Sequence, residues 1–66
     1  MLHITPSERG MLEQLARGVA PKDIARRCGV DELDVESCLR MLFARMGVTT
    51  TTEAVAAAAR RGLVAA

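Results

Sequence analysis

Apolar residues recur along the chain with the spacing of α-helices. The clearest run places apolar side chains at i, i+4, i+7, i+8 and i+11, namely Val35, Leu39, Leu42, Phe43 and Met46. These positions share one face of a helix. Asp31 can cap that helix and Gly47 can end it. The pattern therefore predicts a helix over residues 32–46, the third in chain order.

The start of the first helix is indicated by the segment Thr5–Glu8. A Thr cap followed three residues later by Glu forms a capping box, and Pro6 suits the first helical position. Gly18 can adopt the left-handed conformation that commonly ends a helix. The first helix is therefore predicted over residues 6–17.

A second, shorter helix is predicted over residues 21–28, with Pro21 at its first position and Gly29 ending it. Ala20 offers no side-chain acceptor at the cap, so we expect this helix to depend on packing.

The fourth helix is predicted over residues 53–61, after a run of four threonines rich in candidate caps and before Gly62. The whole chain, residues 1–66, is then one all-α domain with a trihelical core and a C-terminal helix. The expected core is Leu12, Leu15, Ile24, Ala25, Val35, Leu39 and Leu42.

The second and third helices have the spacing of a helix-turn-helix pair. The small side chain of Ala25 lets two helices cross closely, and Gly29 permits the turn. Val35 and Leu39 bury the inner face of the third helix. Its outer face is then positioned where a DNA major groove can receive it.

Composition narrows the classes of function. Nine Lys or Arg residues against eight Asp or Glu residues give a net charge of +1, which does not identify the partner. Phe43 is the sole aromatic residue, which argues against base stacking on single strands. Apolar runs fall far short of the roughly 20 residues of a membrane span. A cytoplasmic location without membrane association is the expectation.

The sequence contains no pattern typical of an enzyme. It has no Gly-rich phosphate loop and no nucleophile paired with a base, so neither catalysis nor a cofactor is expected. Cys28, Cys38 and His3 lack metal-ligand spacing, and no metal site is predicted. We expect both cysteines to be small buried thiols.

A recognisable pattern of residues runs along nearly the whole chain. It comprises the segment Ile4–Arg9, the stretch from Leu15 to Gly29, then Val35, Leu39, Arg45, Gly47, Val48 and the segment Thr52–Ala56. In these residues the chain resembles the LuxR-type DNA-binding domain, and Ile4–Arg9 is similar to the opening of such domains. The resemblance implies four helices, a third helix that reads the major groove of double-stranded DNA, and frequent pairing through the fourth. It also implies phosphate or groove contacts at Lys22, Arg40 and Arg45.

The third helix departs from the family pattern. Where the family usually has Thr, Lys, a polar residue and His, this chain has Asp34, Glu36, Ser37 and Cys38. A Glu can accept a hydrogen bond from cytosine N4, so a base-reading role stays open. The candidate DNA-binding residues are Lys22, Asp34, Glu36, Ser37, Arg40 and Arg45.

A second interpretation is a degenerate helix-turn-helix that binds a protein. Leu33 and Met41 lie off the apolar stripe and give the outer face of the third helix a mixed apolar and charged character. Such a face suits a protein partner. The Ala-rich fourth helix offers a surface for a homodimer or for pairing with a LuxR-type regulator.

Overall fold

The computed structural model describes residues 3–64, and these fold into four helices without strands. The elements are α1 (Pro6–Ala16), α2 (Pro21–Cys28), α3 (Glu32–Met46) and α4 (Thr51–Arg60). The predicted all-α, four-helix class is confirmed. The bounds of α2 and α3 agree with the sequence prediction, and α1 ends one residue earlier.

Helix α4 begins two residues before its predicted start and ends one residue before its predicted end. The hydroxyl of Thr50 accepts a hydrogen bond from the amide of Glu53 at 3.1 Å, and the Glu53 carboxylate accepts from the Thr50 amide at 3.2 Å. This reciprocal capping box fixes Thr50 as the N-cap, because the acid must stand three residues after the cap. The prediction that the helix starts at Glu53 was therefore wrong.

The N-termini of the other helices differ in how they are capped. Thr5 and Glu8 form the predicted capping box at the start of α1, with hydrogen bonds of 3.2 and 3.0 Å. Ala20 and Asp31 occupy the cap positions of α2 and α3, but neither side chain accepts a hydrogen bond there. Packing must therefore hold the starts of these two helices. This was expected for α2, whereas the prediction that Asp31 caps α3 was wrong.

The hydrophobic core lies where the four helices meet. All seven predicted core residues are buried, none of them more than 7% exposed. Helix α2 packs mainly on α3, and α1 packs mainly on α4. Further buried side chains come from the end of α3, from α4 and from the segment after it, namely Met46, Ala54, Ala57, Ala58 and Val64. The small alanines allow the α4 backbone to approach the core closely.

The expectation of buried thiols was wrong, because Cys28 and Cys38 are both free and exposed. Cys28 is the last residue of α2, beyond the turn that buries Ile24 and Ala25. Cys38 precedes the buried Leu39 and lies beside the inward stripe of α3. Each thiol is therefore at the edge of a helix interface and open to solvent.

Candidate nucleic-acid interface

Helices α2 and α3 form a tight pair joined by a short turn. Gly29 ends α2 with φ of 71°, in the left-handed region that favours glycine. Ala25 is 3% exposed and Val35 is 4% exposed, so the two residues predicted to make the crossing are both in the core. The pair therefore has the helix-turn-helix arrangement expected from the sequence.

Within residues 3–64, the opposite side of α3 is exposed. With Val35 and Leu39 turned inward, an exposed stripe runs along the outer side through Leu33, Ser37 and Met41. These three positions are spaced four residues apart, so they lie on neighbouring turns of one helix face. Arg40 is exposed beside this stripe. A ligand that approaches the domain from this side meets α3 first.

A shallow concavity lies along one flank of that stripe. It is lined by Glu36, Leu39, Arg40 and Phe43 of α3, by Pro21 of α2, and by Thr49 and Thr51 at the start of α4. The N-termini of α2 and α4 thus open on the same concavity as α3. A helix N-terminus carries free amides and the positive end of the helix dipole, which favour anions such as phosphate.

The structure brings together four of the six candidate residues. Glu36 and Arg40 share the concavity, Lys22 follows Pro21 at the start of α2, and Ser37 lies on the exposed stripe. Lys22, Ser37 and Arg40 are exposed, and Glu36 is half-buried. Within residues 3–64 none of these four forms a salt bridge. The charged groups of Lys22, Glu36 and Arg40 are therefore available to an external partner.

Asp34 lies away from this group of four. It borders a second, more apolar groove between α1, α2 and α3, which is also lined by Met11, Cys28, Val30 and Cys38. Asp34 itself is exposed, in the first turn of α3. A carboxylate at that position complements the positive end of the helix dipole.

Arg45 is engaged inside the domain. Its guanidinium forms a salt bridge with the carboxylate of Glu8 on α1 and donates a hydrogen bond to the backbone carbonyl of His3 at 3.3 Å. The Glu8 side chain is only 16% exposed. Arg45 therefore ties the end of α3 to the start of α1, in a contact that helical spacing does not predict.

The start of α3 carries a concentration of negative charge. Asp31, Glu32 and Asp34 are exposed there, and none of them forms a salt bridge among the described residues. On the neighbouring α2, Arg26 pairs with Asp23 at 3.8 Å, and Arg27 donates a hydrogen bond to Gln14 at 2.8 Å. These arginines do not neutralise the acids of α3.

Sequence reasoning missed the contribution of Thr49 and Thr51 to the concavity. The threonine run was recognised as a source of helix caps, and the fold adds that the capped end faces α3. Only the way α4 packs reveals this.

Residues 3–64 show no group of three or more His, Cys, Asp or Glu side chains placed to hold a metal ion. None of the helices described is long and apolar enough to cross a membrane.

Comparison with known proteins agrees with this geometry. Residues 3–58 match the family described as "Bacterial regulatory proteins, luxR family". Three relatives, one from Mycobacterium bovis and two from strains of Mycobacterium tuberculosis, carry the provisional name of HTH-type transcriptional regulator. Each is 36% identical over 59 residues, which is 89% of this chain and 7% of the relative. No solved structure matches the chain at a significant level. Because the family match spans most of the sequence, the chain belongs to the luxR family of bacterial regulatory proteins.

Proposed function

We propose that this chain is a DNA-binding module of a transcription regulator, comprises residues 1–66, and inserts α3 into the major groove of double-stranded DNA. The observation that carries the proposal is the concavity that Glu36 and Arg40 of α3 share with the N-termini of α2 and α4. A helix seated in the major groove is flanked by phosphates, and a helix N-terminus favours phosphate.

The exposed side chains divide into two roles. The Lys22 side chain and the backbone amides of Lys22, Thr51 and Thr52 contact phosphates, which position the domain without reading sequence. Ser37, Arg40 and Glu36 face base edges, where Arg can donate to guanine and Glu can accept from cytosine N4. Asp34 lies at the margin of this surface, and Arg45 orients α3 through Glu8. A regulator of this kind acts in the bacterial cytoplasm without catalysis, cofactor or membrane.

The proposal is tested by the salt dependence of binding to random-sequence duplex DNA. Phosphate contacts release counterions, so the logarithm of the affinity must fall linearly with the logarithm of salt concentration. Glu36→Lys replaces the one acid that shares the concavity with Arg40. We expect it to raise the affinity for random-sequence DNA, because it replaces a negative charge by a positive one beside the phosphates that flank the groove, and to steepen the slope by up to about 0.9.

Glu13→Lys is the matched control, because it makes the same change in charge on α1. Glu13 lies beside Arg17 and Val64, outside the concavity, and pairs with Arg9 at 3.5 Å. This control is expected to leave the slope within a few tenths of the wild-type value, roughly the range expected without a new contact. If the folded wild-type protein and the Glu36→Lys variant both fail to bind duplex DNA at low salt, the proposed function is wrong.

A second candidate function is protein binding, as a degenerate helix-turn-helix. The observation that favours it is the exposure of Leu33 and Met41, at 73% and 68%, beside the acids of α3. We propose that α4 forms the contact in a homodimer or in a pair with another LuxR-type regulator. The side of α4 that faces away from the core presents Ala56, which is exposed, and Ala59, which is half-buried. Sedimentation of wild-type protein and of an Ala56→Glu variant tests it, since a charge in a close helix contact must dissociate the pair.

A further inference from the structure

The first two turns of α3 hold very few hydrogen-bond donors. Between Glu32 and Leu39 the side chains able to donate are the Ser37 hydroxyl and the Cys38 thiol. The commonest base-specific contact, Arg or Lys to guanine O6 and N7, is therefore unavailable before Arg40. In its first two turns, this helix can therefore read bases through the Glu36 acceptor and through apolar contacts, but not through a basic side chain.

Apolar surface is what α3 offers instead. Leu33 is 73% exposed and Met41 is 68% exposed, and with Val30 they are the large apolar side chains that stand exposed in the described part of the chain. Leu33 and Met41 lie on the outer stripe with Ser37 between them, whereas Val30 precedes the helix in the turn. The two large apolar groups on α3 thus occupy the face proposed to meet the bases.

The major groove presents one apolar group, the C5 methyl of thymine. We propose that Leu33 and Met41 contact thymine methyl groups and that α3 selects its DNA site largely through them. The inference rests on the proposed DNA-binding function. Eight residues of helix separate the two side chains by about 12 Å along the axis. With about 3.4 Å of rise per base pair along the DNA axis, they would meet thymines at most three to four base pairs apart.

The test removes the methyl groups without changing base pairing. The wild-type protein is first used to select its tightest duplex from a random pool. Each thymine of that duplex is then replaced singly by deoxyuridine, which lacks only the C5 methyl. Affinity is expected to fall roughly fourfold at each of two positions, the effect of burying one methyl-sized group.

Variants assign each methyl contact to one side chain. In Leu33→Ala we expect the deoxyuridine effect to vanish at one of the two positions, and in Met41→Ala at the other. Val30→Ala is the control, since it shortens an exposed apolar residue outside α3 and must keep both effects. Thermal melting checks that each variant is folded, and little change is expected because all three residues are exposed.

The outcomes separate this inference from the function on which it rests. If duplex DNA is bound with the expected salt dependence but no deoxyuridine substitution alters affinity, methyl reading is overturned and DNA binding stands. If no duplex is selected, both are wrong. A purified LuxR-type regulator that binds the wild-type protein but not Leu33→Ala, in the absence of any deoxyuridine effect, assigns the stripe to protein docking instead.

Discussion

The guanidinium of Arg45 on α3 and the carboxylate of Glu8 on α1 form a salt bridge across 37 positions of sequence. Glu8 uses its other carboxylate oxygen to accept from the amide of Thr5, so one side chain both caps α1 and holds α3. The end of the proposed DNA-reading helix is therefore anchored to the opening turn of the domain. We propose that Arg45 contributes to DNA binding through the orientation of α3.

Arg45→Ala is expected to lower the free energy of unfolding and to leave the salt slope of DNA binding nearly unchanged. A partly exposed ion pair contributes up to about 1 kcal/mol, and the hydrogen bond to the His3 carbonyl adds to that. The measurement is a double-mutant cycle of Arg45→Ala and Glu8→Ala, in which denaturant unfolding gives the free energy of each variant. The cycle separates the energy of the Arg45–Glu8 salt bridge from that of the N-terminal cap of α1, which Glu8 also forms.

Additive effects in that cycle would show that the pair is not formed in solution. Lys22→Ala provides the contrast, since this exposed residue at the start of α2 is proposed to contact phosphate. Lys22→Ala is expected to reduce the salt slope by about 0.9, the value for one phosphate contact, while leaving the unfolding midpoint almost unchanged.

Leu39→Ala is expected to destabilise the domain by roughly 2 to 5 kcal/mol, because the removed atoms leave a cavity in the core. Leu39 is 5% exposed and Met41, on the same helix, is 68% exposed. Met41→Ala is therefore the control, with a change within about 0.5 kcal/mol. Equal unfolding midpoints for the two variants would contradict the orientation of α3 about its own axis.

The fold could be predicted from the sequence because residues that start and end helices stand between the apolar stripes. Pro21 and Gly29 bound α2, and the apolar stripe through Val35 and Leu39 sets which side of α3 faces the core. The start of α4 was missed because four adjacent threonines can each act as a cap. The position of Glu53 three residues after Thr50 is the capping-box signal that selects one of them.

The candidate site was less predictable than the fold. Helical spacing relates residues on one helix, so it predicted the outer stripe of α3 but not a contact between helices such as Arg45 with Glu8. It also could not show that the capped end of α4 faces Glu36 and Arg40. Free cysteine is most often interior, and at Cys28 that general tendency gave the wrong expectation.

Both cysteines are expected to react with a thiol reagent in the folded protein. Cys28 and Cys38 are exposed, and a small disulfide reagent needs only access and a fraction of thiolate. Titration without denaturant should therefore count two thiols per chain, the same number as after unfolding. Reaction of fewer than two before unfolding would restore the original expectation of buried thiols.

Lowering the pH is expected to weaken the start of α4 through Glu53. Hydrogen bonds from the Thr49 hydroxyl at 2.8 Å and from the Thr49 amide, followed by those from the Thr50 hydroxyl and amide, hold the pKa of Glu53 below its ordinary value of 4.5. A carboxylate whose pKa is lower in the folded state adds stability above its unfolded pKa and loses it as pH falls through the folded one. Unfolding midpoints for wild type and Glu53→Gln should therefore differ at neutral pH and converge as the pH falls through the lowered pKa of Glu53. Thr49→Val removes the hydroxyl that lowers the pKa most and should reduce this pH-dependent difference, whereas Thr52→Val changes a threonine that makes no described hydrogen bond to Glu53 and should not. A constant gap between wild type and Glu53→Gln at every pH would show that the carboxylate charge does not stabilise this cap.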